Sequence, residues 1–176
     1  MKVNGTPTRT IWLAEDGWAA EIIDQTKLPH EFVTVRLETM AEAAVAIKDM
    51  LVRGAPLIGA TAAYGVALAM REDASDANLG AMYDHLFATR PTAVNLRWAL
   101  DDMKALLSPL AENEREAAAY RRAAEICDED VEICSNIGEH GAAIIKEISE
   151  KKNGATVNIL THCNAGWLAT VDWGTA

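Results

Sequence analysis

The sequence predicts an α+β fold: a small antiparallel sheet and a helical bundle over residues 1–152, then the first strand and loop of a Rossmann-like α/β domain over 153–176. Three observations predict it. The first forty residues alternate short extended runs with turns, and from Thr39 the apolar spacing lengthens to that of a helix. After Lys151-Lys152-Asn153-Gly154 a β-prone run returns. A length of 176 residues, half of them apolar, allows one domain with a real core, or a small domain and a piece of another.

In the sheet, Arg9–Ala14 and Trp18–Asp24 flank Glu15-Asp16-Gly17, whose Asp-Gly pair suits a hairpin because both residues tolerate positive φ. Phe32–Leu37 alternates apolar and polar positions and supplies a third strand. A sheet this small does not stand alone. Thr39 with Glu42 forms a capping box, and Ala43, Ala44, Ile47, Met50 and Leu51 stripe a first helix that should stop near Val52, before Gly54 and Pro56. Pro56–Met70 is apolar almost all round, which predicts a central, buried helix.

Asp76–Ala88 and Pro91–Leu107 are two further helices, divided by Thr89-Arg90-Pro91. Ser108-Pro109 breaks the chain before a long helix from about Asn113 to Lys151, in which Gly138 and Gly141 either admit a close neighbour or kink it. Thr156–Leu160 then reads as a strand leading into Thr161-His162-Cys163-Asn164-Ala165-Gly166, and Asp172–Ala176 as the start of a helix. A buried strand must pair, and a parallel one needs a crossover that this sequence lacks, so the chain is expected to stop in mid-fold.

The formal charge of −10 is uneven, for Ala111–Glu150 holds eleven carboxylates against four bases. That run reads as the solvated face of a helix, and its field repels nucleic acid and anionic membranes. A single phosphorylated ligand remains compatible, since a few local donors suffice. No apolar run reaches membrane-spanning length, and Met1–Thr10 is polar, which argues against a secretory signal. Cys127, Cys134 and Cys163 show no framework or zinc spacing. A reducing cytoplasm is the expectation, with Cys127 and Cys134 as small core residues on one helix face and no metal.

Chemistry-bearing residues gather at element ends. Arg53-Gly54-Ala55-Pro56 precedes the buried helix, where first-turn N–H groups, an arginine and a glycine that admits close approach would hold an anion. The same residues equally make a tight interhelical turn with Arg53 capping carbonyls. Arg90-Pro91-Thr92-Ala93-Val94-Asn95 repeats the logic, with Arg97 favoured as plain surface. Cys163 ends the apolar run, where open α/β sheets gather ligands, or else it is a small buried residue. An ordinary thiol, with a pKa of about 8.5, is protonated at neutral pH and able to donate. His162 is adjacent in sequence, so on a strand it would face the other way.

Four segments carry a resemblance: Asp24-Gln25-Thr26-Lys27-Leu28-Pro29; Arg53-Gly54-Ala55-Pro56-Leu57-Ile58-Gly59 with Ala62-Ala63-Tyr64-Gly65; Arg90-Pro91-Thr92-Ala93-Val94-Asn95-Leu96; and Leu160-Thr161-His162-Cys163-Asn164-Ala165-Gly166. In this order they are similar to the N-terminal half of methylthioribose-1-phosphate isomerases. That superfamily also holds ribose-1,5-bisphosphate isomerases and non-catalytic regulatory subunits of a translation-initiation exchange factor. The resemblance implies conversion of 5-methylthioribose 1-phosphate to 5-methylthioribulose 1-phosphate in methionine salvage, by a cytoplasmic homodimer without metal or cofactor. It implies Cys163 as a catalytic group and Arg53, Gly54, Ala55 and Arg90 as holders of phosphate and sugar. It places the family's catalytic aspartate beyond Ala176.

Overall fold

The computed structural model describes residues 1–176. The sheet is antiparallel, with β3 (Ile11–Leu13), β4 (Ala20–Ile23) and β5 (Thr34–Leu37) in that spatial order. Ile11 pairs with Ile22 and Ala20 with Leu37, so the period of two turns these four residues to one fully buried face. Gly17 takes the positive φ of 81° that the hairpin needs, and the Asp16 carboxylate accepts from the Trp18 and Ala19 N–H groups. A shorter hairpin, β1 (Lys2–Val3) and β2 (Thr6–Pro7), turns on Asn4-Gly5 ahead of it.

The capping box forms as the sequence predicts. Thr39 Oγ1 accepts from the Glu42 N–H at 3.2 Å, and the Glu42 carboxylate accepts from the Thr39 N–H at 3.0 Å. Helix α1 (Met40–Lys48) ends earlier than Val52, because Met50 turns left-handed at a φ of 61°. Helix α2 (Ala55–Glu72) is buried without interruption from Leu57 to Met70. Its glycines let neighbours close in: a Cβ on Gly65 would stand 3.1 Å from the Ala43 side chain of α1, and one on Gly59 would stand 3.1 Å from the Asn95 carbonyl.

Helices α3 (Asp76–Thr89), α4 (Val94–Leu107) and α5 (Glu112–Lys151) complete the bundle around α2. Leu96, Ala99, Leu100, Met103 and Leu107 give α4 one buried face at helical spacing. Arg115, 3 % exposed, in the first turn of α5, ties the α2–α3 turn and the start of α3 to the end of α4 and the α4–α5 turn. It donates to the Leu107, Leu110 and Ala74 carbonyls and pairs with Asp76. Forty residues make α5 about 60 Å long, and past Cys134 none of its side chains is buried. Gly138 and Gly141 have nothing close to them, so neither admits a neighbour.

The last segment departs from expectation. Thr156–Leu160 forms no strand: it pairs with nothing, and Leu160 is 97 % exposed. Local β-propensity cannot form a ladder without a second strand, so the expected opening of a Rossmann-like sheet is not formed. Asp172–Ala176 does not start a helix either. A single 3₁₀ turn, η1 (Trp167–Ala169), stands in this segment, and Gly166 bridges antiparallel to Gly174.

Candidate active site

The turn into α2 is built on Gly54, whose φ of 109° no other residue adopts without strain. A Cβ there would lie 2.3 Å from the Ala169 Cα. The close approach expected of a ligand is therefore made by the chain's own backbone. Helix α2 starts with no side-chain cap and with proline, which has no N–H, in its first turn, so no side chain bonds its leading N–H groups. Ala55 is exposed at that end. The Arg53 guanidinium is exposed and forms no ion pair or hydrogen bond, so it caps no carbonyl. What engages Arg53 is its carbonyl, which accepts from Asn164 Nδ2 at 3.4 Å.

Cys163 is exposed with a φ of 68°, so it is not the small buried residue of the alternative reading. The two segments meet at two points, Asn164 on Arg53 and Ala169 on Gly54. Arg90 is bonded to neither. It is half-exposed at the end of α3, and its carbonyl accepts from the Ala93 N–H at 2.9 Å. That turn delays α4 to Val94, so Pro91 lies outside the helix instead of opening it. No hydrogen bond or ion pair links Arg90 to Arg53 or Cys163. Asn95, in the first turn of α4, reaches α2 at Gly59 and lines a groove of about 250 Å³ with Pro56, Trp98, Ile126 and Asp130. Arg97 lies 4.9 Å from the Phe87 ring centroid, on the surface as expected.

Residues to which sequence reasoning assigned no role hold the segment after Cys163 in place. Thr10 donates its N–H to the Val171 carbonyl at 3.0 Å and its hydroxyl to the Thr170 carbonyl at 2.6 Å. Asp130 accepts the Val171 N–H at 2.7 Å, Gln25 reaches the Leu168 carbonyl, and the chain's amino group pairs with Asp172. Burial pushes the Asp130 carboxyl above its ordinary value, against the opposing pull of the Val171 N–H and the Cys134 thiol. Asp130 hid within the acidic run. Its spacing from Ile126, Cys127 and Cys134 was the available signal, since those positions share the buried face of α5. Cys127 and Cys134 are both buried, and burial raises the Cys127 thiol to about 12.

No three His, Cys, Asp or Glu side chains stand together as a metal site would require, and no helix is long and apolar enough to cross a membrane. The chain is 69 % identical over all 176 residues to the methylthioribose-1-phosphate isomerase of Paramagnetospirillum magneticum, covering 48 % of that protein. It is similar in structure to the 5-methylthioribose 1-phosphate isomerase of Pyrococcus horikoshii, with a TM-score of 0.80 and 38 % identity over 96 % of this chain and 47 % of that one. It is also similar to the translation initiation factor eIF-2B subunit delta of A. fulgidus, with a TM-score of 0.78 and 36 % identity over 96 % of this chain and 48 % of that one. The chain spans about half the length of these relatives. Residues 51–171, which contain the α2 turn, all of α4 and α5 and the Cys163 loop, match the Initiation factor 2 subunit family, and the chain belongs to that family.

Proposed function

We propose that the protein is a sugar-phosphate isomerase acting on 5-methylthioribose 1-phosphate in methionine salvage, and that this chain supplies one wall of its site. The observation that carries the reading is the meeting of the Arg53-Gly54 turn with the Cys163 loop. It puts an uncapped helix start, a free guanidinium and the chain's one exposed thiol on neighbouring stretches of backbone. The names of the relatives supply the substrate.

The reaction sets a definite task. Phosphate on the anomeric oxygen blocks ordinary ring opening, so the ring oxygen must be protonated before hydrogen moves from C2 to C1. Arg53, with the N–H groups at Gly54 and Ala55, holds the phosphate, and Arg90 adds a second positive charge from the α3–α4 turn. Arginines stay charged and cannot act as bases. Cys163 donates or polarises at the reacting end, and a further acid–base group comes from the part of the relatives' length that this chain does not span. The whole enzyme is, on this reading, a cytoplasmic homodimer without metal, cofactor, nucleic-acid or membrane partner.

A second reading, a non-catalytic scaffold, is favoured by the likeness to the eIF-2B subunit. Thermal-shift and turnover assays on the purified chain separate the two. The expected result is a rise in melting temperature with 5-methylthioribose 1-phosphate that Arg53→Ala abolishes. Turnover should be absent alone and appear on adding the separately produced second half of the Paramagnetospirillum enzyme. No shift with any sugar 1-phosphate would establish the scaffold. Full turnover by the 176 residues alone would sink the one-wall reading. A larger shift with ribose 1,5-bisphosphate would move the substrate to that sugar.

A further inference from the structure

Asp24-Gln25, just past the end of β4, has no role in the reaction described above. Gln25 is only 6 % exposed. Its backbone N–H donates to the Leu51 carbonyl at 2.9 Å, and its Nε2 donates to the Leu168 carbonyl at 2.6 Å. Leu51 stands just before Arg53 in the chain, and Leu168 follows the Cys163 loop within η1. One buried residue thereby grips the backbone on both sides of the proposed site.

The Leu168 carbonyl needs this outside donor. If η1 continued by one residue, the Val171 N–H would reach back to it. That N–H is drawn off by Asp130 at 2.7 Å, which opens the turn, and Gln25 closes it from the other side. Gln25 is itself rigidly held. The Asp24 carboxylate accepts from the Thr26 N–H at 2.9 Å and from the Thr26 hydroxyl at 2.6 Å, and the Asp24 N–H donates to the Val33 carbonyl at 2.9 Å. Of the direct contacts between the two segments, Ala169 on Gly54 limits approach without fixing direction, and Asn164 on Arg53 is long and exposed. The buried, directional tie is Gln25.

We propose that Gln25 is a positioning residue: by joining Leu51 to Leu168 it sets the distance between the Arg53 guanidinium and the Cys163 thiol. This rests on the reading of Arg53 and Cys163 as one site. A sugar phosphate held at its phosphate by one segment and worked on by the other depends on that distance, and a misplacement of about 1 Å costs roughly a hundredfold in rate.

The test uses the full chain and needs no turnover. Cys163 is the one exposed cysteine, so native-state alkylation by iodoacetamide reads it alone. Ribose 1-phosphate, at about ten times its dissociation constant, should slow that alkylation about tenfold in the wild type by mass action. Gln25→Met keeps the volume and removes the donor. It should still bind ribose 1-phosphate by calorimetry and keep its unliganded alkylation rate, while protection falls below about twofold. Gln25→Asn, too short to reach Leu168, should behave alike, and Asn164→Ala should remain protected. Undiminished protection in a folded Gln25 variant overturns the proposal, as does loss of protection in Asn164→Ala alone. Failure of both Gln25 variants to fold overturns it too, by making Gln25 a residue of the core. A wild type that binds no ribose 1-phosphate, or binds it without protection, removes the shared site itself and the proposal with it.

Discussion

Helix α2 and the segment 165–175 are both held against the rest of the chain, in different proportions of packing and polar contact. All of α2 from Leu57 to Met70 is buried, its backbone bonded within the helix, so its place is set by apolar packing from every side. Segment 165–175 has one 3₁₀ turn and one bridge of its own, and it buries only the side chains of Ala169, Thr170 and Val171, so much of its hold comes from separate polar contacts with Thr10, Gln25, Asp130 and the chain's amino group. Packing distributes its support over many atoms, whereas a pinned loop depends on a few. The exposed thiol precedes the pinned segment, and the unpaired arginine precedes the packed one.

The largest effect is expected where the two regions touch. Gly54→Ala places a Cβ on the Ala169 backbone at a φ that disfavours it, and strain with overpacking should cost about 4 kcal/mol in urea unfolding. A loss below about 1 kcal/mol would mean that the segment simply moves away, and that the pins are weaker than described. Next comes the interior of α2. Leu68→Ala should cost about 3 kcal/mol, the usual scale for a fully buried leucine, without altering the alkylation rate of Cys163. A faster rate would show that the packed and pinned regions are not separable.

Asp130→Asn isolates one pin. The asparagine oxygen still accepts the Val171 N–H, so the effect should be smaller, on the order of 1 kcal/mol. Its sign depends on pH. Because burial raises the Asp130 carboxyl in the folded chain, its favourable contribution is fully present below the ordinary carboxylate range and is lost as pH rises through the folded value. Unfolding free energies measured from acid to neutral pH should therefore drift in favour of Asp130→Asn as pH increases. A constant difference would contradict the burial account. The smallest effect is expected far from both regions: Ile144→Gln, at a position 60 % exposed on α5, should stay within about 0.5 kcal/mol of the wild type in thermal unfolding.

Elements whose causes are local were legible in the sequence. The capping box at Thr39 and Glu42, the Asp-Gly hairpin and the all-round apolar character of α2 each depend on a few neighbouring residues. The Asn4-Gly5 hairpin went unread because its strands are two residues each, too short to show alternation. Thr156–Leu160 was read as a strand from its propensity, but a ladder is a property of two segments. The site divides in the same way. Arg53 and Cys163 stood out by residue type and by position at element ends. Gln25, though within a resembling segment, and Asp130 drew no role of their own, because their importance lies in bonds to residues 143 and 41 positions away. A glutamine in a turn and an aspartate in an acidic helix carry no mark of such a partner.

The overhang of α5 bears on how a helix begins. From Ser135 to Lys151 no side chain is buried, so tertiary packing does not hold these turns helical. A free peptide of that length would be marginal, since its first turn must form with a nucleation constant near 10⁻³, a penalty of about 4 kcal/mol. On α5 that turn already exists: the bundle freezes the residues up to Cys134, and each later residue only extends a ladder under way. The packed half thereby serves as a template, converting a sequence that would start poorly by itself into one that needs only to propagate.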